Sequence, residues 1–332
     1  MNTSVRLPVR TVDLASDGWP LEDTAGGLRP VPADRLLDHF AEELRPPDWA
    51  TDLIVYVHGW QTKPDSALTA VHRLLALTDA QYGSGRALYP QLRPWRPWTV
   101  LVRWPSRSLP SLGGYRRIRD RAHAMSTDGY AAQIIGQLLG YLDAHRADPA
   151  APDVLANGDG QYLHLVGHSF GCRFLCEAVQ WAADPPSGAT LGWSTPEPAG
   201  RPFTVDSMLL LQMAAPRDAF ATTFTALGEA PLRGPVVATY SQHDRATGFW
   251  HLRAEKRAGI GYAGIGTAPA PVSAIRLLPP EEPYPLAVLD HRFVSVDASD
   301  VFVDGRGPAG AHSDHLRTES AHLLLSLADH CR

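Results

Sequence analysis

Apolar positions along this chain follow two alternating patterns. One is the continuous run: Leu53-Ile54-Val55-Tyr56-Val57 stops at His58-Gly59, and Trp98-Thr99-Val100-Leu101-Val102 stops at Arg103-Trp104-Pro105. Runs of this kind suit strands buried on both faces, as in a parallel sheet. Tyr162–Val166, Val205–Ala214, Pro235–Ser241 and Phe293–Val296 repeat the pattern. Between them the apolar residues fall at helical spacing. Leu68, Val71, Leu74 and Leu75 mark a helix over 65–80; Ile134, Ile135, Leu138, Leu139 and Leu142 mark a long one over 126–145. Helices are also predicted over 170–183, 218–227 and, with Leu316, Leu323, Leu324 and Leu327, over 312–329. Alternation of strand and helix from residue 53 onward predicts an α/β fold: a mostly parallel central sheet with helices on both faces.

The rest of the chain is less periodic. Residues 1–50 are punctuated by proline, with one helical pattern over 33–44, and read as an extension of an edge strand or two plus a short helix. Cap or loop insertions are expected in 105–125, 184–204 and 246–290. The first contains Arg116, Arg117, Arg119 and Arg121, a basic run best read as a solvated face. The segment Gly261–Gly266 follows no strand and reads as a flexible loop rather than a nucleotide fingerprint. No internal repeat is present and the Pro-rich loops isolate no second core, so residues 51–332 are expected to form one domain.

One strand runs straight into chemistry. Gln161-Tyr162-Leu163-His164-Leu165-Val166 leads into Gly167-His168-Ser169-Phe170-Gly171, and a helix follows near Cys172. This is a nucleophile elbow: the serine sits on a sharp strand-to-helix turn, and small flanking residues let the backbone pass close to its neighbours. The helix N-terminus behind it offers N–H groups to a developing oxyanion.

A serine hydroxyl needs an imidazole to take its proton and a carboxylate to hold that imidazole. The elbow resembles that of the α/β-hydrolases, and the resemblance implies that acid and base follow the serine in that order, on loops past later strands. Asp244, three residues beyond the strand ending near Ser241, occupies the acid position, with Asp218 as its rival. His312, after the last strand and before the closing helix, occupies the base position, with His315 one turn further on; His291 precedes the last strand and falls on the wrong side. The N–H of Phe170, after the nucleophile, and that of Trp60, in the loop after the Leu53–Val57 strand, are the candidate oxyanion donors. His58 and His168 are expected to shape those loops through hydrogen bonds. Trp60, Trp104, Tyr115, Phe249 and Trp250 are candidates to line an apolar acyl pocket.

Composition narrows the remaining classes. Apolar content of 44% and charged content of 20% describe a globular chain, and a net charge of −5 provides no basic field for nucleic acid. No apolar run is long enough for a membrane span, and Met1–Val12 lacks the apolar core of a secretory signal, so a cytoplasmic protein is expected. Three cysteines make no disulfide framework; Cys172 and Cys176 fall one helical turn apart as small core residues. Metal-ligand spacings and a phosphate-binding loop are absent, so no cofactor is called for.

The order of these pieces resembles the α/β-hydrolases over residues ~50–330. Strand-His58-Gly59-Trp60, Arg103-Trp104-Pro105-Ser106, Gly167-His168-Ser169-Phe170-Gly171, Tyr240-Ser241-Gln242-His243-Asp244-Arg245-Ala246 and His312-Ser313-Asp314 are similar to the bacterial serine-esterase-like hydrolases of unknown function. The resemblance implies Ser169, Asp244 and His312 as a catalytic triad acting on a small-molecule ester or acyl substrate. Residues 1–50 lie outside it, and the long 246–285 stretch departs from it. An acyltransferase would use the same residues, and an inactive scaffold that binds a ligand would retain the fold without the chemistry.

Overall fold

Every residue of the strand Asp52–Val57 is buried, and its side chains divide between the two faces of a sheet. Leu53, Val55 and Val57 enter one apolar cluster, Ile54 and Tyr56 the other. The same alternation recurs in 207–211, where Met208 and Leu210 oppose Leu209 and Leu211. A strand buried on both sides must be covered on both sides, and it is. The helices Leu112–His123, Ala131–His145 and Gly171–Ala183 cover the first face; Pro64–Gly85 and Thr318–His330 cover the second.

The computed structural model describes residues 8–92, 94–157, 160–183, 204–305 and 307–332. Its ten strands are β1 (Val9–Leu14), β2 (Pro20–Thr24), β3 (Gly27–Pro30), β4 (Asp52–Val57), β5 (Pro97–Arg103), β6 (Tyr162–His168), β7 (Ser207–Leu211), β8 (Val236–Tyr240), β9 (Val272–Arg276) and β10 (Phe293–Asp297). They form one sheet in the order β3-β2-β1-β5-β4-β6-β7-β8-β10-β9. The β1–β2 and β2–β3 pairs are antiparallel and the rest are parallel. This is the expected α/β architecture. From β4 the chain steps to β5 on one side and then crosses to β6 on the other. The loops leaving the C-terminal ends of β4 and β6 therefore diverge, the place where a mostly parallel sheet opens a crevice. No helix among the described residues is long and apolar enough to cross a membrane.

Several elements differ from the sequence pattern. The basic run lies on the outer side of the helix Leu112–His123, whose other side buries Tyr115, Ile118 and Ala122. The helix predicted over 126–145 begins only at Ala131. Ser126 belongs to a wider turn, Ala124–Asp128, that finishes the preceding helix. Gly129 separates the two because a Cβ there would lie 2.3 Å from Asp17 O. The closing helix starts at Thr318, and His312 sits before it in a 3-10 turn, Ala311–Ser313. Within the segment read as a flexible loop, Ile260–Ala263 is a helical turn pressed against the Gln212 backbone. The strand β9 was not expected; it is a partly exposed edge strand with little apolar pattern. The cap insertion expected at 184–204 lies, except for Thr204, outside the described residues.

Candidate active site

The β6 strand ends in a reversal. Ser169 has φ +56°, a left-handed backbone that L-residues adopt only when their surroundings over-determine it. Those surroundings are visible. Ser169 N–H donates to Leu211 O at 3.0 Å, and Ser169 O accepts from Ala214 N–H at 3.2 Å, which ties the turn to the end of β7. The β4 loop closes on it from the other side. A Cβ on Gly171 would lie 2.2 Å from Val57 O, and one on Gly59 would lie 2.6 Å from Ser169 Cβ. Only glycine admits that approach.

Loops from β8 and β10 bring the acid and the base to the serine. Ala311 N–H donates to His243 O at 3.0 Å and Arg245 N–H to Ala309 O at 3.0 Å, so the two loops are joined by their backbones. His312 Nδ1–H donates to Asp244 Oδ2 at 2.8 Å, and His312 Nε2 lies 2.7 Å from Ser169 Oγ. A carboxylate on Nδ1–H fixes the tautomer and leaves Nε2 to accept the serine proton. Asp244 Oδ1 accepts the Thr247 N–H at 3.0 Å. All three side chains are buried. The backbone N–H groups of Trp60 and Phe170 flank the contact between Gly59 and Ser169, and neither donates to a backbone carbonyl among the described residues.

His58, His168, His315 and His291 lie outside this line. His58 Nδ1–H donates to Gly59 O at 3.0 Å and its Nε2 accepts the Trp104 N–H at 3.2 Å; burial pushes its pKa down to about 4. His168 Nε2–H donates to His312 O at 2.8 Å, and burial, then the neighbouring His315 and His312, holds its pKa well below the ordinary range. His315 stacks on His168 at 3.9 Å, and burial pushes its pKa to about 3. It does not reach Ser169. Asp218 pairs with Arg257 at 2.6 Å instead of any histidine. His291, exposed, bonds to Ala287 O.

The expected aromatic lining is mostly used elsewhere. Trp104 stacks on His58 at 6.0 Å and is buried; Tyr115 packs on Phe170 at 5.3 Å and on Trp60 at 5.4 Å, with its hydroxyl 2.9 Å from His251 Nδ1. A cavity of about 480 Å³ opens beside Phe170, walled by Ala214, Pro216 and His251 and rimmed by Arg119, Arg173 and Glu255. Of the five aromatics, none lines it. Gln212, directly after β7, was missed by the sequence reading; its amide reaches Asp244 Oδ2 at 3.2 Å. The one signal for it was a polar residue at the C-terminal end of an apolar strand. Among the described residues, no group of three or more His, Cys, Asp or Glu side chains is placed to hold a metal ion.

No family model and no curated protein matches the chain. Among solved structures it is similar to phospholipase PlaB from Legionella pneumophila in complex with thio-NAD, at 15% identity and a TM-score of 0.22. The match covers 54% of this chain and 29% of that one, so this chain spans under a third of its neighbour's length.

Proposed function

We propose that this chain is a serine hydrolase that cleaves carboxylic esters through an acyl-enzyme, with residues 51–332 as its catalytic domain and residues 1–50 extending the sheet. The observation that carries the reading is the hydrogen-bonded line from Ser169 Oγ through His312 to Asp244, with the serine on a left-handed backbone beside the switch point of the sheet. In this scheme Ser169 Oγ attacks the ester carbonyl while its proton passes to His312 Nε2. Asp244 holds the imidazolium that forms, and the N–H groups of Phe170 and Trp60 hold the oxyanion. His312 returns the proton to the leaving alcohol. Water, deprotonated by the same nitrogen, then releases the acid and frees Ser169.

A p-nitrophenyl ester series of increasing chain length, with fluorophosphonate labelling, tests this. Wild type turns over and labels at Ser169; Ser169→Ala does neither, a loss of about 10⁴-fold or more in kcat. A folded wild type that neither labels nor hydrolyses any member of the series would sink the reading.

A further inference from the structure

Three features of Gln212 go beyond filling space. Its backbone is left-handed, at φ +47°, on a residue with no glycine-like freedom. Its side chain is fully buried, and Nε2 donates both to Asp244 Oδ2 at 3.2 Å and to Ala311 O at 3.0 Å. Its Oε1 is buried and has no partner among the described residues. The flipped amide would turn Oε1 toward a carboxylate and a carbonyl, so its neighbours decide which way it points.

The two acceptors are the informative part. Asp244 Oδ2 is the same oxygen that accepts from His312 Nδ1–H, and Ala311 is the residue before His312. One amide therefore grips the acid loop after β8 and the base loop after β10 together. From the far side, His168 Nε2–H donates to His312 O at 2.8 Å. Successive carbonyls, 311 and 312, thus take buried N–H donors from the ends of β7 and β6. The base loop is thus held at two successive carbonyls by buried donors.

We propose that Gln212 is a positioning residue: it holds the Asp244 carboxylate and the His312 loop in the register that keeps the proton on Nδ1 and Nε2 facing Ser169. It acts through that pair and touches no substrate. The kinetic consequence rests on the hydrolase reading above; the consequence for the His312 ring rests on the geometry alone.

Gln212→Met tests it, because methionine keeps an unbranched buried side chain of similar volume and removes the amide. Long-range ¹H–¹⁵N correlation reads the tautomer of His312, alongside ester kinetics and a near-UV spectrum that reports the fold. The expected result is an Nδ1–H tautomer in wild type, a mixture of tautomers in Gln212→Met, and kcat lower by about 10- to 100-fold with KM within about twofold. Gln212→Glu, which points an oxygen at Asp244, loses more than Gln212→Met. If Gln212→Met does not fold, Gln212→Leu takes its place. An unchanged tautomer and a kcat within about twofold of wild type would reduce Gln212 to a space filler. A tautomer that shifts in a protein without ester turnover would keep the positioning role and remove the hydrolase reading.

Discussion

The sheet contains the same three functional groups twice, once at each end. At the C-terminal ends of the strands, Asp244, His312 and Ser169 form a line with contacts of 2.8 and 2.7 Å. At the N-terminal ends, His164 Nε2–H donates to Asp52 Oδ1 at 3.0 Å and His164 Nδ1 lies 2.8 Å from Ser207 Oγ. All six residues are buried. Distances and residue types do not distinguish them; their surroundings do. Ser207 is an ordinary strand residue whose Cα pairs with that of His164, in a ladder with neighbours on both sides. Asp52 also takes the Arg332 guanidinium at 2.7 Å and the Thr51 hydroxyl at 2.6 Å, so its charge is already balanced. Ser169 instead sits on a left-handed turn next to Phe170, which lines a cavity, and among the described residues the N–H groups of Trp60 and Phe170 donate to no backbone carbonyl and Asp244 pairs with no Lys or Arg. A strained backbone and free donors make a candidate site; three side chains in a row do not.

The largest expected effects fall on the two aspartates, in different observables. Asp244→Asn removes the charge that holds the His312 tautomer and lowers kcat about 10³- to 10⁴-fold, by analogy with removal of the acid from a serine triad. Its fold, read by urea unfolding, stays within about 1 kcal/mol of wild type. Asp52→Asn does the reverse. It leaves ester hydrolysis within about twofold and costs about 3–5 kcal/mol of stability, because Arg332, largely buried, loses its partner. If both variants lost activity equally, the distinction between the two ends would be wrong.

The strands at this boundary were readable from the sequence because burial on both faces leaves an uninterrupted apolar run, as in β4 through β8. Strand β9 was not, since Val272–Arg276 is an edge segment with no fully buried position. Chain order pointed to Ser169, Asp244 and His312, and these side chains meet in space. His312 is preferred over His315 by its position after the last strand; the 3-10 turn that holds it is encoded by no apolar spacing. Gln212 was unreadable for a physical reason: its partners lie 32 and 99 residues further along the chain, in loops that become neighbours only when β7, β8 and β10 align. The Asp52–His164–Ser207 line was equally hidden, because its members belong to three strands and carry no motif.

The candidate site's end of the sheet also responds to acid. Around the candidate site, burial pushes His58 and His251 down to about 4 and His315 to about 3, from an ordinary value of 6.5. Below pH 6.5 the unfolded chain takes up protons that the folded chain refuses. Stability is therefore full above about pH 6.5 and falls as pH drops, down to about 4 for His58 and His251 and to about 3 for His315. Each buried ring contributes a slope of about 1.4 kcal/mol per pH unit within its window. Urea unfolding at pH 7.5, 6 and 5 measures it, and His315→Phe should flatten the slope by about one proton. Stability that does not change between pH 7.5 and 5 would mean these rings are hydrated or charged in the folded protein.

The finest contrast is one substitution made at both serines. Glycine in a strand interior gives up side-chain packing and backbone order, so Ser207→Gly costs about 1–2 kcal/mol, including the hydrogen bond lost from His164. At Ser169 the left-handed backbone favours glycine, and Ser169→Gly is stabilising by up to about 1 kcal/mol while abolishing turnover. Opposite signs in the two urea midpoints would show that strain is held at one serine and absent from the other. Equal destabilisation would mean that the Ser169 hydroxyl contributes more through its bond to His312 than its backbone costs, and the site would then be stabilised by the contact that makes it reactive.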